Sequence, residues 1–109
     1  MRKFKIGIIG AGMRAMFLMN EILEREELQV VAISDISEYS MNQLCNKFDK
    51  PWDKYTNYIE LLSRKDIEGV IILSPDYVHE EQAVAAFQAG KHVFLEKPLA
   101  ITLEGGILL

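Results

Sequence analysis

Three small residues near the start of the chain, Gly10, Gly12 and Ala15, have the spacing of a loop that binds a diphosphate group. The glycine at position 10 permits a tight turn, and the missing Cβ at Gly12 lets the backbone approach the phosphates. Ala15 lets the following helix lie close to the preceding strand, and the helix N-terminus offers unpaired N–H groups to an anion. The other residues of this predicted loop are Ala11, Met13 and Arg14. A turn that binds no ligand is the alternative interpretation.

Asp35 is the acidic residue that a dinucleotide site requires after its second strand. It lies 23 residues after Gly12, close to the spacing of about 20 residues at which a carboxylate binds the ribose hydroxyls. The same carboxylate repels the additional phosphate of NADP, and the next residues, Ile36 and Ser37, offer that phosphate no positive charge. The sequence therefore predicts NAD as the cofactor in preference to NADP. Alternatively, Asp35 is a turn residue that ends the strand.

A second group of polar residues follows an apolar run over residues 69–74. We expect Ser74, Pro75 and Asp76 at the carboxyl end of a central strand, beside the crevice where parallel sheets bind ligands. Asp76 serves equally well as the N-cap of the next helix. His79, one turn into that helix, either faces the cofactor or completes the helix N-terminus. All four residues are candidates for cofactor binding.

Lys97 is the predicted catalytic residue, because its ammonium group follows a strand on the ligand side of the sheet. An ammonium there can hydrogen-bond a substrate hydroxyl or a ribose hydroxyl of the cofactor. It can also polarise the oxygen that loses its proton during hydride transfer. Glu96 can hold the ammonium in place, and Pro98 stiffens the turn. The alternative for Glu96 and Lys97 is an ordinary surface turn.

The elements that must position these residues alternate between strand and helix. Apolar runs and turn signals predict strands at residues 4–9, 28–34, 52–55, 69–74 and 91–95, and helices at 13–26, 37–48, 57–62 and 76–89. This order predicts an α/β fold with a parallel sheet and right-handed crossovers.

Composition excludes several classes of protein. The net charge of −4 argues against a nucleic-acid surface. The single cysteine, Cys45, permits no internal disulfide and no cysteine-built metal site, and we expect it to be buried. No apolar run approaches the length of a membrane span. We therefore expect a cytoplasmic protein without a metal ion, membrane contact or nucleic-acid partner.

The segments GIIGAGMRA (7–15) and SPDYVHEEQAVAAFQAGKHVFLEKP (74–98), together with Asp35, resemble the N-terminal domain of the glucose-fructose oxidoreductase, inositol dehydrogenase and rhizopine-catabolism (Gfo/Idh/MocA) family. The resemblance implies a Rossmann-type, doubly wound parallel sheet that binds NAD or NADP. It also implies hydride transfer between the nicotinamide and a hydroxyl or carbonyl of a sugar, polyol or similar small molecule. In this family a larger C-terminal α+β domain supplies most substrate contacts.

The resemblance assigns residues 1–104 to the dinucleotide-binding domain and leaves 105–109 as a short apolar tail. Because the family's second domain is absent from this sequence, we expect the isolated chain to lack turnover. A non-catalytic NAD(H)-binding module and a truncated relic are the alternative hypotheses. We also expect a homo-oligomer joined through residues 101–109, with the last strand as an unpaired edge. The alternative is a tail that folds back over its own sheet as a short helix.

Overall fold

A computed structural model of the chain describes residues 3–95, 100–103 and 106–108. The predicted site residues Glu96 and Lys97 lie outside the described residues, as does the side chain of Asp76. The elements are β1 (Phe4–Ile9), α1 (Met13–Leu23), β2 (Leu28–Ser34), α2 (Glu38–Phe48), β3 (Asp53–Tyr55), α3 (Tyr58–Leu62), β4 (Gly69–Ile72), a 3₁₀ turn (Asp76–Val78), α4 (His79–Gln88), β5 (His92–Leu95), β6 (Ala100–Leu103) and β7 (Gly106–Leu108).

The strands form one sheet in the order β3-β2-β1-β4-β5-β6-β7. The first five strands in this order are parallel, which confirms the predicted doubly wound parallel sheet. Strands β6 and β7 were not predicted, and both pair in the antiparallel direction. The sheet is therefore mixed at one end, a common arrangement in doubly wound folds.

The expectations of an unpaired last strand and of a helical tail are both wrong. Strand β5 pairs with β6, with Val93 opposite Thr102, so its outer edge is covered. Residues 106–108 form strand β7 against β6 instead of a helix. A strand that follows β5 after a short connection can satisfy the edge hydrogen bonds of β5 directly, which a helix over the sheet cannot do.

Helices cover both faces of the sheet. On one face, Ala15 and Met19 of α1 and Leu44 of α2 pack with Ile6 and Ile8 of β1. On the opposite face, helices α3 and α4 pack against the strand residues that alternate with those of the first face. The helix residues are Leu61, Leu62, Ala83 and Ala86, and the strand residues are Ile9, Val70 and Ile72. The alternation along the strands places neighbouring residues in opposite cores. Cys45 is buried in the first of these cores, as predicted.

Two predicted helix limits are wrong. Helix α1 ends at Leu23, three residues early, because residues 24–27 turn so that β2 can begin beside β1. Helix α4 begins at His79, three residues later than predicted, because residues 76–78 form a 3₁₀ turn and Val78 is the N-cap. Ser37 is the N-cap of α2 and Asn57 that of α3, and the side chain of each accepts a backbone N–H group of the first turn. In the described part of the chain, no helix is long and apolar enough to cross a membrane.

Candidate functional site

A groove of about 590 Å³ lies at the carboxyl ends of β1, β2 and β4. Strand β1 lies between β2 and β4, and the chain leaves β1 and β4 towards helices on opposite faces. The groove therefore occupies the point at which the strand order reverses, where open α/β sheets bind their ligands. Seven predicted site residues line it: Gly10, Gly12, Met13, Arg14, Asp35, Ser74 and Pro75.

The two glycines of the loop differ in what requires them. Gly10 has a φ of +104°, and a Cβ there would lie 2.5 Å from the backbone nitrogen of Ser74. Gly10 is thus required by the close approach of the loop to the end of β4. At Gly12 the φ is −87°, and a Cβ would meet nothing within 4 Å. No neighbour in the described part of the chain excludes a side chain at Gly12, so the space beside it fits a ligand group.

Asp35 joins the glycine loop to the end of β2. One carboxylate oxygen accepts the backbone N–H of Ala11 at 2.7 Å, and the other accepts that of Ser37 at 2.8 Å. The backbone N–H of Gly10 also donates to the carbonyl of Ser34 at 2.7 Å. Each carboxylate oxygen retains a further lone pair. Asp35 can therefore hold the loop and accept ribose hydroxyls at the same time.

Ser74 is held from both sides of the groove. The Arg14 guanidinium donates to its carbonyl oxygen at 3.1 Å, and the ring nitrogen Nε2 of His79 is hydrogen-bonded to the same oxygen. The hydroxyl of Ser74 donates to Oε1 of Gln82. Arg14 and His79 thus fix the backbone at the carboxyl end of β4, and the contact of His79 with Ser74 supports a role in shaping the groove.

Polar burial in the described part of the chain is concentrated at this groove. Ser34, Ser74 and Gln82 are the buried polar side chains, and all three line it. Of these three residues, only Ser74 was predicted from the sequence as a site residue. Lining residues that were not predicted as site residues also include Ile36, Ser37, Ser40, Thr56, Tyr58, Tyr77 and Val78. Their common signal is a position in the turn or first helical turn that follows β2, β3 or β4, because the carboxyl ends of these strands meet at one edge.

Three of the residues that line the groove have exposed apolar side chains. The side chains of Met13, Ile36 and Tyr77 are 74%, 93% and 87% exposed. Such surfaces suit the faces of planar rings. Nearby, the phenol of Tyr58 donates to Glu81 at 3.3 Å, and burial and the Glu81 charge raise the pKa of this phenol. Tyr58 therefore remains a neutral hydrogen-bond donor at physiological pH.

The remaining predicted site residues have different positions. Ala11 is buried below the groove and contributes its N–H to Asp35. Asp76 lies in the 3₁₀ turn beside the groove. Glu96 and Lys97 lie outside the described residues. Among the residues described, no group of three or more histidine, cysteine, aspartate or glutamate side chains is placed to hold a metal ion.

The family model that matches the chain is described as the oxidoreductase family with an NAD-binding Rossmann fold, and it covers residues 4–107. A protein of Stenotrophomonas maltophilia described as a glycosyl hydrolase family 109 protein is 36% identical over 94% of this chain. The chain spans 25% of the length of that relative.

Two solved structures share the fold at 26% sequence identity. One is scyllo-inositol dehydrogenase from Lactobacillus casei with bound NAD(H) and scyllo-inositol, with a TM-score of 0.77 over 89% of this chain and 28% of that one. The other is a 3-ketoreductase from Actinomadura kijaniata in complex with NADP and TDP-benzene. Its TM-score is 0.79, over 89% of this chain and 30% of the reductase.

Proposed function

Because this chain belongs to the Gfo/Idh/MocA oxidoreductase family, with its NAD-binding Rossmann fold, we propose that its groove binds NAD(H) for hydride transfer. The substrate class is a sugar, polyol or similar small molecule with a hydroxyl or carbonyl at the reacting carbon. The observation that supports this proposal is the space beside Gly12, where a Cβ would meet no atom of the described residues within 4 Å. A diphosphate group fits that space, at the N-terminus of α1.

The cofactor extends along the groove from β2 to β4. Asp35, at the end of β2, accepts the hydroxyls of the adenosine ribose, and the loop around Gly12 holds the diphosphate. The nicotinamide nucleoside then lies beside Ser74 at the end of β4. Nicotinamide supplies the hydride acceptor or donor when bound. The chain's own groups bind and orient it.

We propose NAD as the cofactor in preference to NADP. The support is local: the carboxylate of Asp35 lines the groove at the end of β2, and neither of the next two residues, Ile36 and Ser37, carries a positive charge. The two structural relatives described above bind NAD(H) in one case and NADP in the other. The proposed preference of this chain therefore rests on Asp35 and its uncharged neighbours.

Lys97 and Glu96 complete the proposed reaction site. On the evidence of the sequence, Lys97 hydrogen-bonds the reacting oxygen and assists the proton transfer that accompanies hydride transfer. Glu96 orients its ammonium group. We propose that the 109-residue chain alone binds the cofactor without turnover, because the family resemblance attributes most substrate contacts to another domain.

Titration of the chain with NADH and with NADPH, followed by nicotinamide fluorescence, tests the cofactor proposal. We expect saturable binding of NADH and weaker binding of NADPH. Equal or tighter binding of NADPH would contradict the preference. No binding of either dinucleotide would contradict the proposed function itself.

A screen of sugars and polyols with NAD, followed by absorbance at 340 nm, tests the proposal that this chain binds the cofactor but needs a second domain for turnover. We expect no turnover from the 109-residue chain. A robust rate that disappears in the Lys97→Ala variant would show instead that the chain contains a complete active site.

A further inference from the structure

Gln82 is a buried glutamine on the sheet-facing side of α4. Its side chain is held, because the hydroxyl of Ser74 donates to Oε1. Only 9% of the residue is exposed, and the residue lines the groove. A glutamine this well buried is uncommon unless both ends of its amide find partners.

The amide nitrogen of Gln82 has no such partner among the described residues, since its one side-chain hydrogen bond uses Oε1. In the same part of the chain, no fully buried side-chain nitrogen or oxygen is without a hydrogen-bond partner. Nε2 is therefore not fully buried, and the open space that it reaches is the groove. Ser74 thus fixes an amide that presents N–H donors to whatever occupies the groove.

The position of Gln82 in the groove determines which part of a bound dinucleotide lies beside this residue. Asp35 and Ser37 line the β2 side of the groove, Gly12 lies between, and Gln82 lines the β4 side with Ser74. A dinucleotide with its adenosine ribose on Asp35 and its diphosphate at Gly12 has its other nucleoside on the β4 side. Gln82 therefore faces that half.

We propose that Gln82 Nε2 donates a hydrogen bond to an oxygen of the nicotinamide ribonucleotide half of the cofactor. The inference rests on the proposed function. An apolar side chain at position 82 would pack against the sheet and leave no hydrogen-bond donor unpaired. The proposed contact with the cofactor explains why a glutamine lies there instead. A ligand oxygen supplies the missing acceptor. Gln82 is on these grounds a cofactor-positioning residue.

Two substitutions separate donation to the cofactor from support of Ser74. Gln82→Met removes both functions, whereas Gln82→Glu keeps an acceptor for the Ser74 hydroxyl and removes the donor. Gln88, an exposed glutamine on the same helix, provides the matched controls Gln88→Met and Gln88→Glu. Each variant is titrated with NADH and with ADP, which lacks the nicotinamide half, after circular dichroism has verified the fold.

We expect both Gln82 variants to bind NADH about 5- to 10-fold more weakly, the loss of one hydrogen bond. Binding of ADP to Gln82→Met and binding of both ligands to the Gln88 controls should stay within about twofold of wild type. Normal NADH binding by Gln82→Glu together with weak binding by Gln82→Met would show that Gln82 only supports the Ser74 hydroxyl. That result would overturn the proposal. Equal losses for NADH and ADP in Gln82→Met would overturn it as well.

An NMR measurement on the wild-type chain tests the same contact without a variant that must fold. The side-chain amide resonances of Gln82 should shift when NADH is added and stay in place when ADP is added. If NADH binds and these resonances do not move, Gln82 makes no contact with the nicotinamide half. If the wild-type chain does not bind NADH at all, the proposed function itself is wrong. This result differs from NADH binding without a shift at Gln82, which contradicts only the proposed contact.

Discussion

Two grooves in this domain have similar sizes but differ in the polar groups that line them. The carboxyl-edge groove, described above, has a volume of about 590 Å³ and contains Asp35, two loop glycines and the buried polar side chains. A second groove of about 430 Å³, called here the apolar groove, lies beside α1. Its apolar lining residues are Phe4, Leu18, Ile22, Leu28, Ile71, Leu73 and Phe94.

The apolar groove has the character of uncovered core. Ile71 and Leu73 belong to the same apolar cluster as α1 and α2, and Phe94 packs against that cluster. Glu21, Arg25 and Glu27 line the same groove. Burial of apolar surface alone explains the apolar residues there.

The difference shows which features indicate a binding site in this domain. Volume and apolar lining describe both grooves. Only the carboxyl-edge groove contains features that packing does not explain, namely the unfilled space at Gly12 and the amide nitrogen of Gln82 without a partner in the described chain. The function is therefore assigned from groups that the chain itself leaves unsatisfied.

The largest expected effect comes from Gly10. The variant Gly10→Ala should lower the free energy of unfolding by about 3 kcal/mol or more, because the positive φ is unfavourable and the Cβ meets the Ser74 backbone. Urea unfolding followed by circular dichroism measures the change. Wild-type stability would show that the loop does not approach β4 so closely.

Gly12→Val should lower the affinity for NADH and leave the stability of the fold nearly unchanged. Its Cβ and methyl groups occupy the proposed diphosphate space, so NADH affinity should fall at least 100-fold, equivalent to about 3 kcal/mol. The unfolding midpoint should remain near that of wild type, because a Cβ at Gly12 meets none of the described atoms within 4 Å. If the Gly12→Val chain binds NADH normally, the loop is a turn that plays no part in cofactor binding.

Asp35→Ala should weaken NADH binding by about 1.5–3 kcal/mol, through loss of charge-assisted hydrogen bonds. It should also release the amides of Ala11 and Ser37, which donate to this carboxylate. Faster hydrogen exchange of both amides without ligand would verify the second effect. Unchanged exchange would limit Asp35 to ribose binding, and unchanged NADH affinity would remove the basis of the cofactor preference.

The sequence predicted the features of this site that depend on local geometry. Gly10 and Asp35 were found because a tight turn and a strand end leave recognisable residue types at fixed spacing. Gln82 was not found, since it and Gln88 occupy one helix and only tertiary burial separates them. Phe17 shows the same limit, because it lies in the apolar pattern of α1 and is nevertheless 75% exposed.

The smallest expected effect comes from the apolar groove. Ile22→Glu places a charge among its apolar lining and should leave NADH affinity within about twofold of wild type. If the chain self-associates through this surface, the variant should also lower the average mass measured by light scattering at high concentration. A large loss of NADH affinity in a folded Ile22→Glu chain would mean that the two grooves are not functionally distinct.

The central claim, that the dinucleotide binds in the carboxyl-edge groove, is tested most directly by mapping backbone amide resonances of the wild-type chain during titration with NADH. We predict that the largest shifts occur at Gly10 to Arg14, at Asp35 to Ser37 and around Ser74. The amides of Ile22, Leu28 and Phe94 should change little. Shifts concentrated at the apolar groove, or no saturable shifts at all, would contradict the account.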